Sequence, residues 1–193
     1  MNHHFFAMLS RMKYIFRWSL MRNTRTENIC EHTQEVMVIA HALALLHNKR
    51  FGGSVNVERC VLLSMYHDVT EILTGDLPTP VKYNDKAIRD EYRRIERLSA
   101  ERLLSQLPPD LEEEYRPLLL MQNADEEERK IVKAADKLSA LIKCIEEFKA
   151  GNNEFREARV ATEKSLREMN FPAVQSFMDE FLPSYELTLD EQK

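Results

Sequence analysis

The chain has 193 residues, 44% of them hydrophobic and 31% charged, with a net charge of −5. That length and balance fit one soluble globular domain covering 1–193. The negative charge excludes the broad basic surface on which general nucleic-acid binding relies, though a local cationic cluster would still serve a small anion.

Only 4 glycines occur, strand-like alternation is scarce and 3.6-residue periodicity dominates, so the expected class is all-α. Phe5, Phe6, Met8 and Leu9 suggest a short amphipathic helix, cut off by Arg11 long before it could span a membrane. Up to Thr26 the charged residues are Arg11, Lys13, Arg17, Arg22 and Arg25, with no acid among them. Such charges usually form a solvated patch, but their place just ahead of His32 favours steering of phosphate. From Tyr14 to Cys30 the periodicity is weak, and the stretch reads as a partly extended loop holding Arg17, the only tryptophan (Trp18), Asn23 and Asn28.

A helix is expected from about Glu31 to Lys49, with Val36, Ile39, Ala40, Leu43 and Leu46 inward. After the turn Phe51-Gly52-Gly53-Ser54, Asn56 is suited to cap a helix that runs on to about Gly75. Asp76-Leu77-Pro78-Thr79-Pro80 is expected to be a stiff connector, since each proline fixes its own φ and disfavours helix before it. A charged amphipathic helix follows from Asp85 to Gln106, and Leu107-Pro108-Pro109-Asp110 breaks it. A short helix then reaches about Met121. The acidic run Asp125-Glu126-Glu127-Glu128 suits the N-terminus of a helix that carries Asp136 and ends at Gly151. Helices over about 153–169 and 172–181 and an irregular tail from about 183 complete the chain. Cys30, Cys60 and Cys144 lack paired zinc-finger spacing and read as reduced thiols of a cytoplasmic protein.

Chemistry concentrates in Tyr66-His67-Asp68-Val69-Thr70-Glu71. An adjacent His-Asp pair is costly to bury without partners, yet the flanking Val61, Leu62, Met65, Tyr66, Val69, Ile72 and Leu73 recur at the spacing of a buried helix. On one continuous helix His67 and Glu71 lie one turn apart on a shared face, with Asp68 beside them. Three titratable groups on one stripe of a core helix point to a metal site. His3, His4 and His47 read as ordinary surface or core histidines. His41 lies about 180° round from His32 and more than two turns away, which excludes it.

A histidine (His32), a His-Asp pair (His67-Asp68) and a distant aspartate (Asp136), each on its own helix, follow the order of the HD phosphohydrolases. The runs Arg17-Trp18-Ser19-Leu20-Met21-Arg22-Asn23, Glu31-His32, Tyr66-His67-Asp68, Glu71 to Lys82, Ala135-Asp136 and Ala150-Gly151-Asn152-Asn153-Glu154 narrow the resemblance to the bacterial HD-domain 5′-deoxynucleotidases. The sequence departs from the usual pattern at Val69-Thr70 and Thr33, none of which is a proposed ligand.

The resemblance implies a single HD-domain helical bundle in which His32, His67, Asp68 and Asp136 hold one divalent ion. That ion is cobalt by family, while the ligand set also permits manganese, zinc or magnesium. It implies hydrolysis of deoxyribonucleoside 5′-monophosphates, with the nucleotide read through its sugar, and a homodimer. Glu71, expected to be desolvated among other carboxylates, is favoured over Asp76 as the acid/base group. Arg17, Asp68 and Lys82 are placed near the phosphate, Trp18 at the C2′ edge of the sugar, and Asp76, Leu77, Pro78 and Thr79 along the nucleotide. No nucleic-acid polymer and no membrane are expected as partners. Two other functions fit the same residues: a cyclic-nucleotide phosphodiesterase or nucleoside-triphosphate hydrolase of the same superfamily, and a non-catalytic helical module stapled by its metal.

Overall fold

In the computed structural model the described residues are 3–82 and 85–193, with Thr79 described by its backbone alone. They form ten α-helices: α1 (Phe5–Leu9), α2 (Ile29–Arg50), α3 (Val57–Met65), α4 (Glu71–Thr74), α5 (Thr79–Lys82), α6 (Lys86–Leu104), α7 (Pro109–Leu119), α8 (Glu126–Lys149), α9 (Arg156–Glu168) and α10 (Pro172–Glu180). Among them no strand occurs, only an isolated antiparallel bridge between Phe16 and Asn28 that closes the base of the 16–28 loop. None of these helices is long and apolar enough to cross a membrane.

Local chemistry sets the boundaries of the longer helices. Asn28 caps α2 by accepting from the Cys30 and Glu31 amides, which fixes His32 in the first turn. Asn56 caps α3 and Asp85 caps α6. Asp125 and Glu128 form a reciprocal capping box at the start of α8. Gly75, at φ +72°, ends α4 in a conformation that side chains rarely adopt.

Two apolar cores result. The larger joins α2, α3, α8, α9 and α10 through residues such as Leu43, Leu138, Leu141, Ile142, Leu166 and Val174. The smaller gathers Phe5, Val69, Ile72, Leu103, Leu104 and Leu107 from α1, α6 and the turn after it, and the segment around α4. The 66–71 segment packs into the smaller core through Tyr66 and Val69.

Three expectations differ from this structure. The helix begun at Asn56 does not run through to Gly75: it stops at Met65 and resumes at Glu71. Across the gap the amides of His67, Val69 and Glu71 bond three residues back rather than four. The cause is local, since His67 Nδ1 donates to the Ser64 carbonyl at 2.7 Å and occupies the acceptor that the Asp68 amide would take in a continuous helix. His67 and Glu71 thus do not share a helix face. Second, the 76–80 connector leads into a turn of helix, α5, with Pro80 in the first turn where its missing N–H costs nothing. Third, the C-terminal tail contains a short 3₁₀ helix, Leu182–Glu186.

The C-terminal end of α8 holds the 16–28 loop. The Glu147 carboxylate, only 1% exposed, accepts from the Thr24 amide (2.9 Å) and hydroxyl (2.8 Å), the Arg25 amide (3.2 Å), the Asn152 side chain (2.8 Å) and Lys143. Asn152 also donates to the Arg22 carbonyl and Glu154 pairs with Arg22. Burial alone would raise the Glu147 carboxyl, but the bonds from Lys143, Thr24 and Asn152 outweigh it and hold the group down to about 2. A depressed carboxyl contributes stability above its unfolded value of 4.5, and that contribution is lost as pH falls toward 2. Glu147→Gln should cost on the order of 3 kcal/mol at pH 7. The gap from wild type should shrink at pH 3, read by urea unfolding at both values. An equal gap at both would show that the charge is not the tie.

Candidate metal centre

Three elements bring four side chains to one point. His32 comes from the first turn of α2, His67 and Asp68 from the turn between α3 and α4, and Asp136 from α8. One ligand atom from each lies within 4.8 Å of the others. His32 Nε2 is 3.5 Å from Asp68 Oδ2 and 3.2 Å from Asp136 Oδ1, and His67 Nε2 is 3.0 Å from Asp68 Oδ2. His32 is fully buried, whereas Asp136 keeps 40% of its side chain open, so the group has a buried floor and an accessible mouth.

The outer nitrogens of both rings are anchored. His67 Nδ1 donates to the Ser64 carbonyl at 2.7 Å. His32 Nδ1 lies 2.9 Å from Ser139 Oγ, and that hydroxyl donates to Glu35 at 2.5 Å. Carrying the proton on Nδ1 leaves the Nε2 lone pair of each ring facing inward, the usual orientation of a metal-bound imidazole. Both Nε2 atoms are buried without a hydrogen-bond partner. Arg17 Nη1 also comes within 2.7 Å of His32 Nδ1, but two donors cannot share a bond. A ligand role for Nε2 therefore commits Nδ1 to Ser139 and the guanidinium to Glu27, 2.9 Å away.

The charges suit a divalent cation. Burial would raise the Asp68 carboxyl, but His67 and His32 outweigh it and hold it well below the usual range. Asp136 is likewise held low, chiefly by His32 against the effect of burial. The His67 imidazole is pushed up to about 9, because Asp68 overcomes a burial effect that would lower it. A bound dication would take the place of that His67 proton, and two imidazoles, neutral once ligating, with two carboxylates would then balance its charge and offer the borderline nitrogen and oxygen donors that zinc, cobalt and manganese accept. The residues fit the ion.

Glu71, 6% exposed, opens α4 beside this group. Burial first, then Asp68 and Asp76, push its carboxyl up to about 10, and its Oε2 is buried with no partner. Asp76 is half-buried and raised by burial, against the lowering effect of Arg17 and a bond from the Trp18 amide. Burial would lower the Arg17 guanidinium, but Glu27, Asp136, Asp68 and Asp76 raise it, so it stays charged. Trp18 Nε1 donates to Glu27 at 2.9 Å and its ring packs on Phe155. Leu77 and Pro78 are half-buried beyond Asp76. Lys82 pairs with Glu96 at 2.9 Å and stands over the Tyr92 ring. The side chain of Thr79, expected along the nucleotide, lies outside the described residues.

Sequence reasoning missed Ser139, Glu35 and Glu27. The first two carried a signal, because Ser139 follows Asp136 and Glu35 follows His32 at helical i+3 spacing.

A family model described as "5'-deoxynucleotidase YfbR-like" matches residues 4–185. A 5′-deoxynucleotidase of Vibrio vulnificus is 50% identical over 188 residues, covering 97% of each chain. An HD-domain phosphohydrolase from Listeria innocua superposes with a TM-score of 0.83 at 26% identity, covering 94% of this chain and 88% of that one. A cyanophage S-2L HD phosphohydrolase, described as bound to dA and one catalytic Zn2+ ion, shares the fold with a TM-score of 0.61 at 20% identity, covering 94% and 96%.

Asp68→Asn replaces a charged ligand by a neutral one, and metal analysis of the purified variant should find the ion lost. A full equivalent of ion retained would remove Asp68 from the ligand set.

Proposed function

Since the chain belongs to the YfbR-like 5′-deoxynucleotidase family, we propose that it is a metal-dependent phosphomonoesterase. It hydrolyses deoxyribonucleoside 5′-monophosphates to deoxynucleoside and phosphate. The observation that carries this reading is the His32, His67, Asp68 and Asp136 quartet, with both Nε2 atoms buried and facing the two carboxylates. A divalent ion held there would supply Lewis acidity, lowering the pKa of water and offsetting phosphate charge.

The remaining roles belong to the chain. Arg17 offers a planar fork of donors to phosphate oxygens beside His32 and Asp136. Glu71, held protonated by burial and by Asp68 and Asp76, is placed to give its proton to the departing 5′-oxygen. Asp76 is the second carboxyl of the site, and with Leu77, Pro78 and Thr79 it lines the nucleotide. Asp68 meets phosphate as well as the ion, and Lys82 adds positive charge facing Glu71. Trp18 forms a rigid wall at the C2′ edge of the sugar, where a 2′-hydroxyl would lose its water without gaining a partner. Cobalt is the assigned ion, with manganese, zinc and magnesium as alternatives. The protein works as a single HD domain, in a cytoplasmic homodimer.

Phosphate release from the chelated protein, with metals added back, tests the reading against paired ribo- and deoxyribonucleotides. Restored release from deoxyribonucleoside 5′-monophosphates supports it. Pyrophosphate or triphosphate made from triphosphates, or cleavage of cyclic nucleotides in preference, would overturn it.

Glu71→Ala should keep one equivalent of metal while turnover falls by about 100-fold or more, the scale of a lost proton-transfer group. Near-normal turnover would remove Glu71 from the reaction.

A further inference from the structure

The 16–28 loop brings Arg17 and Trp18 to the mouth of the site, and one carboxylate holds both. Beside the Phe16–Asn28 bridge, the Arg17 amide donates to the Glu27 carbonyl at 3.0 Å. Across that pairing Glu27 Oε2 accepts from Arg17 Nη1 and from Trp18 Nε1, each at 2.9 Å. The side chains of Arg17 and Glu27 are each only 12% exposed, so this is a partly desolvated, charge-assisted contact rather than a loose surface pair.

The backbone at Trp18 is unusual as well. Its φ of +61° lies in the left-handed region, which a bulky aromatic residue rarely enters unless its surroundings over-determine it. Those surroundings are visible: the Met21 amide and the Asn23 side chain donate to its carbonyl, its own amide donates to Asp76, and its ring packs on Phe155 at 5.2 Å. An indole has a single N–H donor, so the bond to Glu27 sets the rotation of the ring. The same oxygen sets the guanidinium, which without it would be drawn toward Asp136, 3.9 Å away.

We propose that Glu27 is a specificity-determining positioning residue, whose carboxylate locks Arg17 and Trp18 into one unit and so couples the grip on phosphate to the reading of the sugar. The proposal rests on the assignment above of Arg17 to phosphate and Trp18 to the C2′ edge. Glu27 does not itself touch substrate. It acts by holding the wall at one angle to the guanidinium.

Trp18 is the only tryptophan, so its fluorescence in the metal-loaded, substrate-free protein reports on it alone. Glu27→Ala and Glu27→Gln would be compared with Trp18→Ala by emission, anisotropy, metal content, and matched kcat/KM for deoxyadenosine and adenosine 5′-monophosphates. Glu27→Ala should red-shift and depolarise the emission, retain one equivalent of metal and narrow the deoxy-to-ribo ratio by roughly 10-fold or more. Glu27→Gln, which keeps an acceptor oxygen, should recover part of both effects. Unchanged emission, a lost metal, or a freed Trp18 with the ratio intact while Trp18→Ala collapses it would each overturn the role of Glu27. A ratio untouched by Trp18→Ala would instead sink the sugar-wall reading, and the coupling assigned to Glu27 with it.

Discussion

Two buried imidazole nitrogens, His32 Nε2 and His67 Nε2, face the Asp68 and Asp136 carboxylates at 3.0–3.5 Å, a crowding of donor atoms that only a proton or a cation among them can satisfy. Leaving such groups unpartnered costs about 1–3 kcal/mol each, and the surrounding structure sharpens that cost by fixing both rings through their outer nitrogens. With an ion bound, the Ser64 carbonyl takes one ring proton and the Ser139 hydroxyl the other, which turns both Nε2 lone pairs inward. A cation answers this constraint together with the negative charge of Asp68 and Asp136. The interruption of the α3–α4 helix follows from it too, since His67 holds its ring by taking the acceptor on which the helix would continue.

The fold is arranged to hold that point steady. α2 and α8 supply His32 and Asp136 from the larger core, while Val69 and Ile72 anchor the His-Asp turn in the smaller one. The ligands therefore come from both bodies, and the site depends on their packing. A different device governs the open side. There the 16–28 loop has little apolar packing of its own and is held by carboxylates: Glu27 from within, Glu147 from the end of α8 and Glu154 from the turn that follows it. This explains why two distant runs that carry the family resemblance, 17–23 and 150–154, are neighbours in space.

The all-α class and most helix ends were legible because caps and periodicity are local: Asn28, Asn56, Asp85 and Asp125 all sit where side-chain oxygens meet free amides. The gathering of His32, His67, Asp68 and Asp136 is not local, and only the resemblance brought those four residues into one set. The helix break was illegible for another reason. Apolar spacing continues through Tyr66, Val69 and Ile72, while the event that ends α3 is a side-chain bond periodicity does not register. Glu27 and Glu147 were passed over because a lone acid in a loop or near a helix end usually faces water.

The central claim is that one ion sits among these four side chains. Anomalous diffraction from crystals loaded with cobalt or zinc tests it most directly. The account predicts one peak per chain, within bonding distance of His32 Nε2, His67 Nε2, an Asp68 oxygen and an Asp136 oxygen. A peak elsewhere, or crystals that take up no ion while the two nitrogens stay unpartnered, would contradict it.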